Sequence, residues 1–499
     1  GQGQGQQQGA SVEEGAAGGN QAPAGGAGGR LERLSKWDFL VLNALGDMDD
    51  LLGVVFPDDN TGDDTSDYTS PEGARMRVPN PERDESFFFR KPEEWKKEQA
   101  EGEGDAGDAA AEGKEEGRGS SSPRPGKPPG ASGPVPRRGP WGDLTPGQVR
   151  SRIAKSGRCS ALVKVTPDLS DLLLGHVTWW GYASMLRIYK HYDMRLGGLP
   201  LAAGAGRVSF SSYPGQLSSA DDWYLLGSGL VVTETSLDVY DHTRYNSSYG
   251  CSPASLLAWQ RVGAANMLGG DGPGWARLAA AYNSGTYNNQ YMIVNLARFS
   301  PGRELQPGLL TISEIIPGMV VTADATSDLE RGHWPSYNVP YFPQVYEATG
   351  YRRHAEALAR RGPAFAEAAA GLSYQLAPRA KIFRRDAAGA NDLASFRALL
   401  RSNSWRPHRP TDPLAADSPW NALCGRGDLD PEDPDVYGCY DGKVTNYRRA
   451  LELSADAING PTTEGGQPPF RWDAHPRFNR IPRRGMLEEY DTQWEEQRP

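Results

Sequence analysis

The chain has 499 residues, a formal net charge of −10, 60 glycines and 39 prolines. Acidity without a long basic stripe argues against nucleic acid as the main partner, and no run of about 18 apolar residues exists to form a transmembrane segment. The seven histidines are scattered without HExxH or CxxC spacing, so no metal and no cofactor is expected.

Residues 1–30 are almost entirely Gly, Gln and Ala, with too little apolar surface to offset the entropy of ordering, and disorder is expected there. They also lack the basic start and apolar run of a signal peptide. Residues 31–96 form a short amphipathic and acidic segment, in which WDFLVLNALGDMDDLLGVVF (37–56) has helical spacing and needs a partner surface. Residues 97–140 are a charged Gly/Pro/Ser-rich linker. From 141 to 499 large apolar residues recur at core-like density, enough for one large domain.

Within that domain, CSALVKV alternates, placing Ala161, Val163 and Val165 on one face. After a break at Pro167 and Asp168, DLLLGHVTWWGY reads as a buried strand, so the two predict a hairpin. MLRIYKHYDM has helical spacing, whereas RVSFSSYPG and WYLLGSGLVVTETS read as strands. SPASLLAWQRVGAANML predicts a helix capped by Ser252 with Pro253 in its first turn. GWARLAAAYN predicts another helix, NNQYMIVNLARF and GLLTISEIIPGMVVTAD further strands, and LASFRALLR a late helix. Strands follow one another without βαβ alternation, which predicts an α+β fold of mostly antiparallel sheet with helices laid on it.

Cys159 opens the first of these strands, after flexible Ser156 and Gly157 and below a tract that can be cut without disturbing a core. A chain cut just before a cysteine gives that residue a free α-amino group, a general base beside a good nucleophile. The plain alternative is a small buried hydrophobe. If the two strands form a hairpin, His176 comes close to Cys159 across the sheet, with Trp179 three residues on; from the residues alone a satisfied core histidine with a packing tryptophan is the favoured reading. Cys251 is the rival nucleophile, since a following helix would lower its thiol pKa, and its bland reading is a loop cysteine beside a glycan. Cys424 and Cys439 flank a turn-rich loop short enough to bridge, and Asn246-Ser247-Ser248 is a glycosylation sequon. Both hint at an oxidising compartment. GSG at 227–229, NSGTYNN and GGDGPG lack the elbow or strand context that acyl-transfer or phosphate sites require.

CSALVKV, GHVTWWGYASMLRIYKHYDM, RVSFSSYPG, DDWYLLGSGLVVTET, LLAWQRVGAANM, NSGTYNNQYMIV, WPSYNVPY, APRAKIFRRD, GCYDGKV and GPTTEGGQPPFRWD, in that order, resemble the phospholipase B-like proteins. VLNALGDMDDLL resembles the segment before their linker. The resemblance implies an N-terminal nucleophile hydrolase fold, a four-layer αββα sandwich, in a lysosomal or secreted glycoprotein made as one precursor. It implies cleavage between Arg158 and Cys159, with the mature chain starting at the nucleophile Cys159. His176 and Trp179 match an HxxW pair beside it, Thr235 and Asn338 match pocket and oxyanion positions, Asn246 remains a glycan site, and Cys424 and Cys439 match a disulfide region. The glycine- and tyrosine-rich strands that begin such proteins have no counterpart here, so the sheet is expected to lack N-terminal strands.

The substrate implied is a fatty-acyl ester of glycerophospholipids; the residues themselves indicate only a carbonyl with an apolar acyl arm. An amidase acting on N-acyl or peptide amides, and a non-catalytic lipid-binding or interaction protein, are the alternatives.

Overall fold

A computed structural model describes residues 141–194, 201–246, 249, 251, 254–405 and 418–499, together with 40, 42–44, 46–48 and 50. The low-complexity stretch 1–30, the linker 97–140 and all of 51–96 lie outside the described residues.

Two antiparallel sheets organise the domain. The chain enters by helix α1 (Pro146–Lys155), started by a capping box between Thr145 and Gln148 with Pro146 in the first turn. The hairpin of β1 (Cys159–Val165) and β2 (Leu172–Gly181) follows, in the register Cys159 to Thr178 and Ala161 to His176. The chain then builds a second sheet as a meander from β3 (Ile188–Asp193), β4 (Arg207–Ser212), β5 (Tyr224–Leu226) and β6 (Leu230–Ser236). It is completed by β7 (Asn289–Asn295), β8 (Leu310–Ile316) and β9 (Met319–Asp324). Strand β10 (His333–Ser336) returns to pair with β1. On the other side, β11 (Tyr437–Cys439) and β12 (Asp441–Asn446) pair with β2, followed outward by β13 (Ala455–Asn459).

The pleat sorts each strand between two cores. Ala161, Val163, Val165, Leu172 and Leu174 of the first sheet pack against Leu225, Val231, Met292, Val294 and Ile312 of the second. On the far side of the first sheet, Leu162, Leu173 and Val177 pack under helices. These are α1 and, in chain order after the meander, Tyr351–Ala359, Pro363–Ala369, Pro378–Asp386 and Leu393–Leu400. On the far side of the second sheet, Phe210, Val232 and Ile293 pack under helices Ala258–Leu268 and Gly272–Ala280 through Val262, Ala265, Trp275 and Ala279. Gly175 of β2 permits one of these contacts, because a Cβ there would fall 2.3 Å from Leu400 Cδ1 and 2.7 Å from Phe396 Cε1.

Two expectations are corrected. MLRIYKHYDM is not a helix: a single 3₁₀ turn at Tyr182–Ser184 gives way to β3, whose residues pair with β4. This is the edge of the second sheet with both faces partly solvated, so its apolar residues do not alternate cleanly and mimic helical spacing. The helix expected from Ser252 starts at Ala258; Ser252 and Pro253 lie outside the described residues, and 254–257 is not helical. Its first amide is capped from a distance, Ala258 N–H donating to the Asp47 carboxylate at 3.1 Å. Asp47 belongs to the amphipathic segment, whose described residues are helical apart from a turn at Ala44 and whose Leu42 carbonyl, Asn43 and Asp47 bond to Gln216, Leu217 and Ala258.

One buried carboxyl predicts a pH effect. Glu314 accepts from Gln290 Nε2 at 2.7 Å and from the Tyr341 and Phe342 amides, yet burial outweighs these bonds and pushes its pKa up to about 7. A pKa raised on folding gives stability that is complete below the unfolded value near 4.5 and is lost as pH rises through about 7, an effect on the order of 3 kcal/mol. His354, held down to about 4 by burial, acts in the opposite sense. The stability of the native chain minus that of Glu314→Gln therefore falls between pH 5 and pH 8 in urea titrations, since the His354 contribution cancels in the difference. A pH-independent difference would refute the assignment.

Candidate active site

The peptide bond between Arg158 and Cys159 is held on both sides. The amides of Arg158 and Cys159 both donate to Asn338 Oδ1, at 3.0 and 3.2 Å. The Arg158 carbonyl oxygen accepts from the backbone N–H of Trp179, and the Cys159 carbonyl oxygen accepts from Arg379 Nη1. Asn338 is itself fixed: its Nδ2 donates to the Ser236 carbonyl at 2.8 Å, its N–H to Thr235 Oγ1 at 3.2 Å, and its carbonyl accepts from the Tyr351 hydroxyl at 2.8 Å. Its φ of +68° lies in the left-handed region, which asparagine tolerates better than most residues. The side-chain oxygen of Asn338, not its amide nitrogen, faces the Cys159 amide.

Cys159 is buried, with its Sγ 4.0 Å from Glu234 Oε1 and close to the His176 ring on the neighbouring strand. Burial, and secondarily the Glu234 charge, push the thiol well above its ordinary pKa. Burial and then Asp222 push the Glu234 carboxyl well up, while burial and then Lys443 hold His176 well down. In each case burial favours the uncharged form. The His176 ring lies fully buried with neither nitrogen hydrogen-bonded among the described residues. Tyr287 donates to Glu234 at 3.1 Å, and its backbone N–H donates to Asp50 at 2.8 Å, so the amphipathic segment also supports this wall.

Trp179 closes another side. Its Nε1 donates to the Leu423 carbonyl at 3.1 Å, which also accepts from Ser160 Oγ at 2.8 Å. The Cys424–Cys439 disulfide is formed, and Cys439 pairs with Trp179 across β11 and β2. The bridge thus braces the loop on which Trp179 rests. Beyond Trp179, Asn338 and Arg379 lies a cavity of about 230 Å³, lined also by Tyr240, Tyr337, Tyr351 and Leu372. Arg150, Ile153 and Ala154 of α1, with Ser156 just after the helix and upstream of the Arg158–Cys159 bond, form one of its walls.

The structure therefore brings Cys159, His176, Trp179 and Asn338 together. Thr235 stands one contact away, 2.6 Å from Ser336 Oγ and bonded to Asn338 rather than to Cys159. Cys251 lies apart: it is half-buried, precedes the helix by seven residues and so gains nothing from its N-terminus, and burial pushes its thiol up. Asn246 is exposed, while Ser247 and Ser248 lie outside the described residues. Sequence reading missed Glu234 and Arg379. Glu234 stands between two threonines in LVVTETS and Arg379 lies in the APRAKIF block, and neither stretch carries a local signal that marks the residue as part of the site.

Residues 137–497 match the family model described as Phospholipase B. The chain is 42% identical over 337 residues to human "Phospholipase B-like 1", covering 67% of this chain and 57% of that protein. It is 41% identical over 343 residues to "Phospholipase B" of Crotalus adamanteus, covering 69% and 58% respectively. With "Phospholipase B-like protein G" of Dictyostelium discoideum it shares 36% over 355 residues, covering 68% and 56%. The chain thus spans less than three fifths of the length of these relatives.

Proposed function

Since the chain belongs to the phospholipase B family, we propose that it is a self-cleaving N-terminal cysteine hydrolase that removes acyl chains from glycerophospholipids. The observation that carries this reading is the clamped Arg158–Cys159 peptide. The buried thiol belongs to the residue following the bond, and an N–H donor already faces the carbonyl oxygen that would become an oxyanion.

Cys159 Sγ attacks the Arg158 carbonyl carbon, and negative charge develops on the oxygen facing the Trp179 N–H, where a preorganised donor is most effective. The C–N bond breaks, the Cys159 nitrogen leaves as an amine carrying the thiol proton, and water hydrolyses the resulting thioester. The new amine lies beside Asn338 Oδ1, which positions it to take the thiol proton in later turnovers. Departure of Arg158 frees the Trp179 N–H for a substrate carbonyl, and the aromatic cavity beside it suits an apolar acyl arm. His176, uncharged, packs against the thiol, and Thr235 acts through Asn338.

The order of layers, helices over a sheet, the two sheets face to face, and helices beyond, supports the N-terminal nucleophile fold for this reading. The disulfide supports an oxidising compartment, lysosomal or extracellular. Among the described residues no helix is long and apolar enough to cross a membrane.

Intact mass spectrometry of the purified protein tests the reading. Two chains are expected, the larger beginning at Cys159, with fatty acid released from phospholipid by the cut form. A single chain after prolonged acid incubation would favour a non-catalytic lipid-binding protein. Because self-cleavage is itself attack on an amide, N-acyl amides are the second substrate to assay; faster release from them than from esters would make the enzyme an amidase.

A further inference from the structure

The surroundings of the Cys159 thiol hold more than self-cleavage requires. Ligand atoms of Cys159, His176 and Glu234 lie within 4.8 Å of one another, and all three side chains are buried. They converge from the first two strands of one sheet and from β6 of the other. The imidazole has two nitrogens and no hydrogen bond to either among the described residues, at a position with no exposure to water. A buried polar group left unpaired costs free energy, and an unpaired ring nitrogen beside two other ligand atoms is what a metal ion would use.

We propose that Cys159, His176 and Glu234 bind a divalent cation of the zinc class, and that the bound ion holds the chain uncut by taking the thiol as a ligand. The second half rests on the reading of Cys159 as the nucleophile; the first does not. Thiolate, imidazole and carboxylate are all established zinc ligands, and three of them leave the fourth tetrahedral position open to water. Zinc bond lengths set neighbouring ligand atoms roughly 3.3–3.6 Å apart, so the most distant pair must close by about 1 Å. The Sγ to Glu234 Oε1 distance is already 4.0 Å.

Charge also fits. Zinc with one thiolate, one carboxylate and a neutral imidazole is electrically neutral, and protons displaced from the ligands pass to solvent. Of the buried cations around the site, Lys443 and Arg187 are compensated by Asp221 and Asp441, which pair with both, while Arg379 is turned to the backbone side, donating to the Cys159 carbonyl oxygen. With the thiol sulfur bound to the metal, its lone pair is unavailable to the Arg158 carbonyl, so occupancy and cleavage exclude each other.

The test uses the full chain carrying Cys251→Ser, which leaves Cys159 as the one unpaired thiol of the four cysteines. Incubated with cobalt(II), it should develop a near-ultraviolet thiolate-to-cobalt charge-transfer band that saturates at one equivalent and is displaced by zinc. Cys159→Ala should abolish the band, and Glu234→Gln should weaken cobalt binding at least tenfold. If circular dichroism shows that Glu234→Gln fails to fold, Glu234→Asp keeps the carboxylate and should keep the band. Absence of the band, or its persistence in Cys159→Ala, overturns the site.

In a parallel assay by intact mass, saturating zinc should slow cleavage before Cys159 at least tenfold and a chelator should restore it. Cleavage indifferent to saturating zinc overturns the blocking role. A chain that shows the band but is never cut, even with chelator, retains the metal site and refutes the nucleophile reading instead.

Discussion

Cys159→Ala should leave the chain in one piece and lower acyl release by roughly four to six orders of magnitude, the usual consequence of deleting a nucleophile. Removing one sulfur from a buried site costs little packing, so the variant should fold, with a circular dichroism spectrum and Arg158–Cys159 geometry close to those of the native chain. Cys159→Ser separates two parts of the mechanism. It keeps a nucleophile and, if cut, the α-amino base, but exchanges a thiol for a much less acidic hydroxyl, so slow cleavage should persist with turnover strongly reduced. The Cys251→Ser variant should behave as the native protein in both assays, because Cys251 lies outside the cluster around Arg158. Cleavage persisting in Cys159→Ala would move the nucleophile elsewhere.

The geometry at Cys159 was partly legible in the sequence because it is local. Alternation in CSALVKV and DLLLGHVTWW, joined by a short turn, defines a hairpin, and hairpin register alone carries His176 and Trp179 towards Cys159. What escaped comes from long range. Glu234 meets Cys159 from 75 positions away and Arg379 reaches across from a helix, while Asn338, 179 positions away, was named only through the family resemblance. A single acidic residue in LVVTETS has no local feature that distinguishes a solvated position from a buried one. The same limitation displaced the start of the Ala258–Leu268 helix, whose cap acceptor is Asp47, and turned the half-exposed edge strand β3 into an apparent helix. The disulfide was more accessible, because its two cysteines are only 15 residues apart.

The alternation D-G-K in YDGKV carries the second large effect. Lys443 Nζ lies 2.6 Å from Asp221 and 2.9 Å from Asp441, and donates to Thr178 Oγ1 at 2.7 Å. Arg187 pairs with the same two carboxylates at 2.9 and 3.2 Å. These groups are buried and join β2 and β12 of one sheet to the loop before β5 in the other. Burial opposes ionisation of Asp221, but Arg187 and Lys443 outweigh it and hold its carboxyl well below the usual range. Its contribution is therefore present above the unfolded carboxylate pKa and lost as pH falls through the lower folded value.

Lys443→Met leaves two buried carboxylates facing one cation, and should destabilise the chain by about 3–5 kcal/mol in urea titrations. The double variant Lys443→Met/Asp441→Asn restores charge balance and should lose less than the sum of its single variants. Strict additivity would mean that the four groups do not act as a unit. A catalytic consequence follows from Lys443's place behind the site. Its charge counters the effect of Glu234 on the Cys159 thiol, so Lys443→Met should move the onset of cleavage to higher pH, which a merely looser fold would not do.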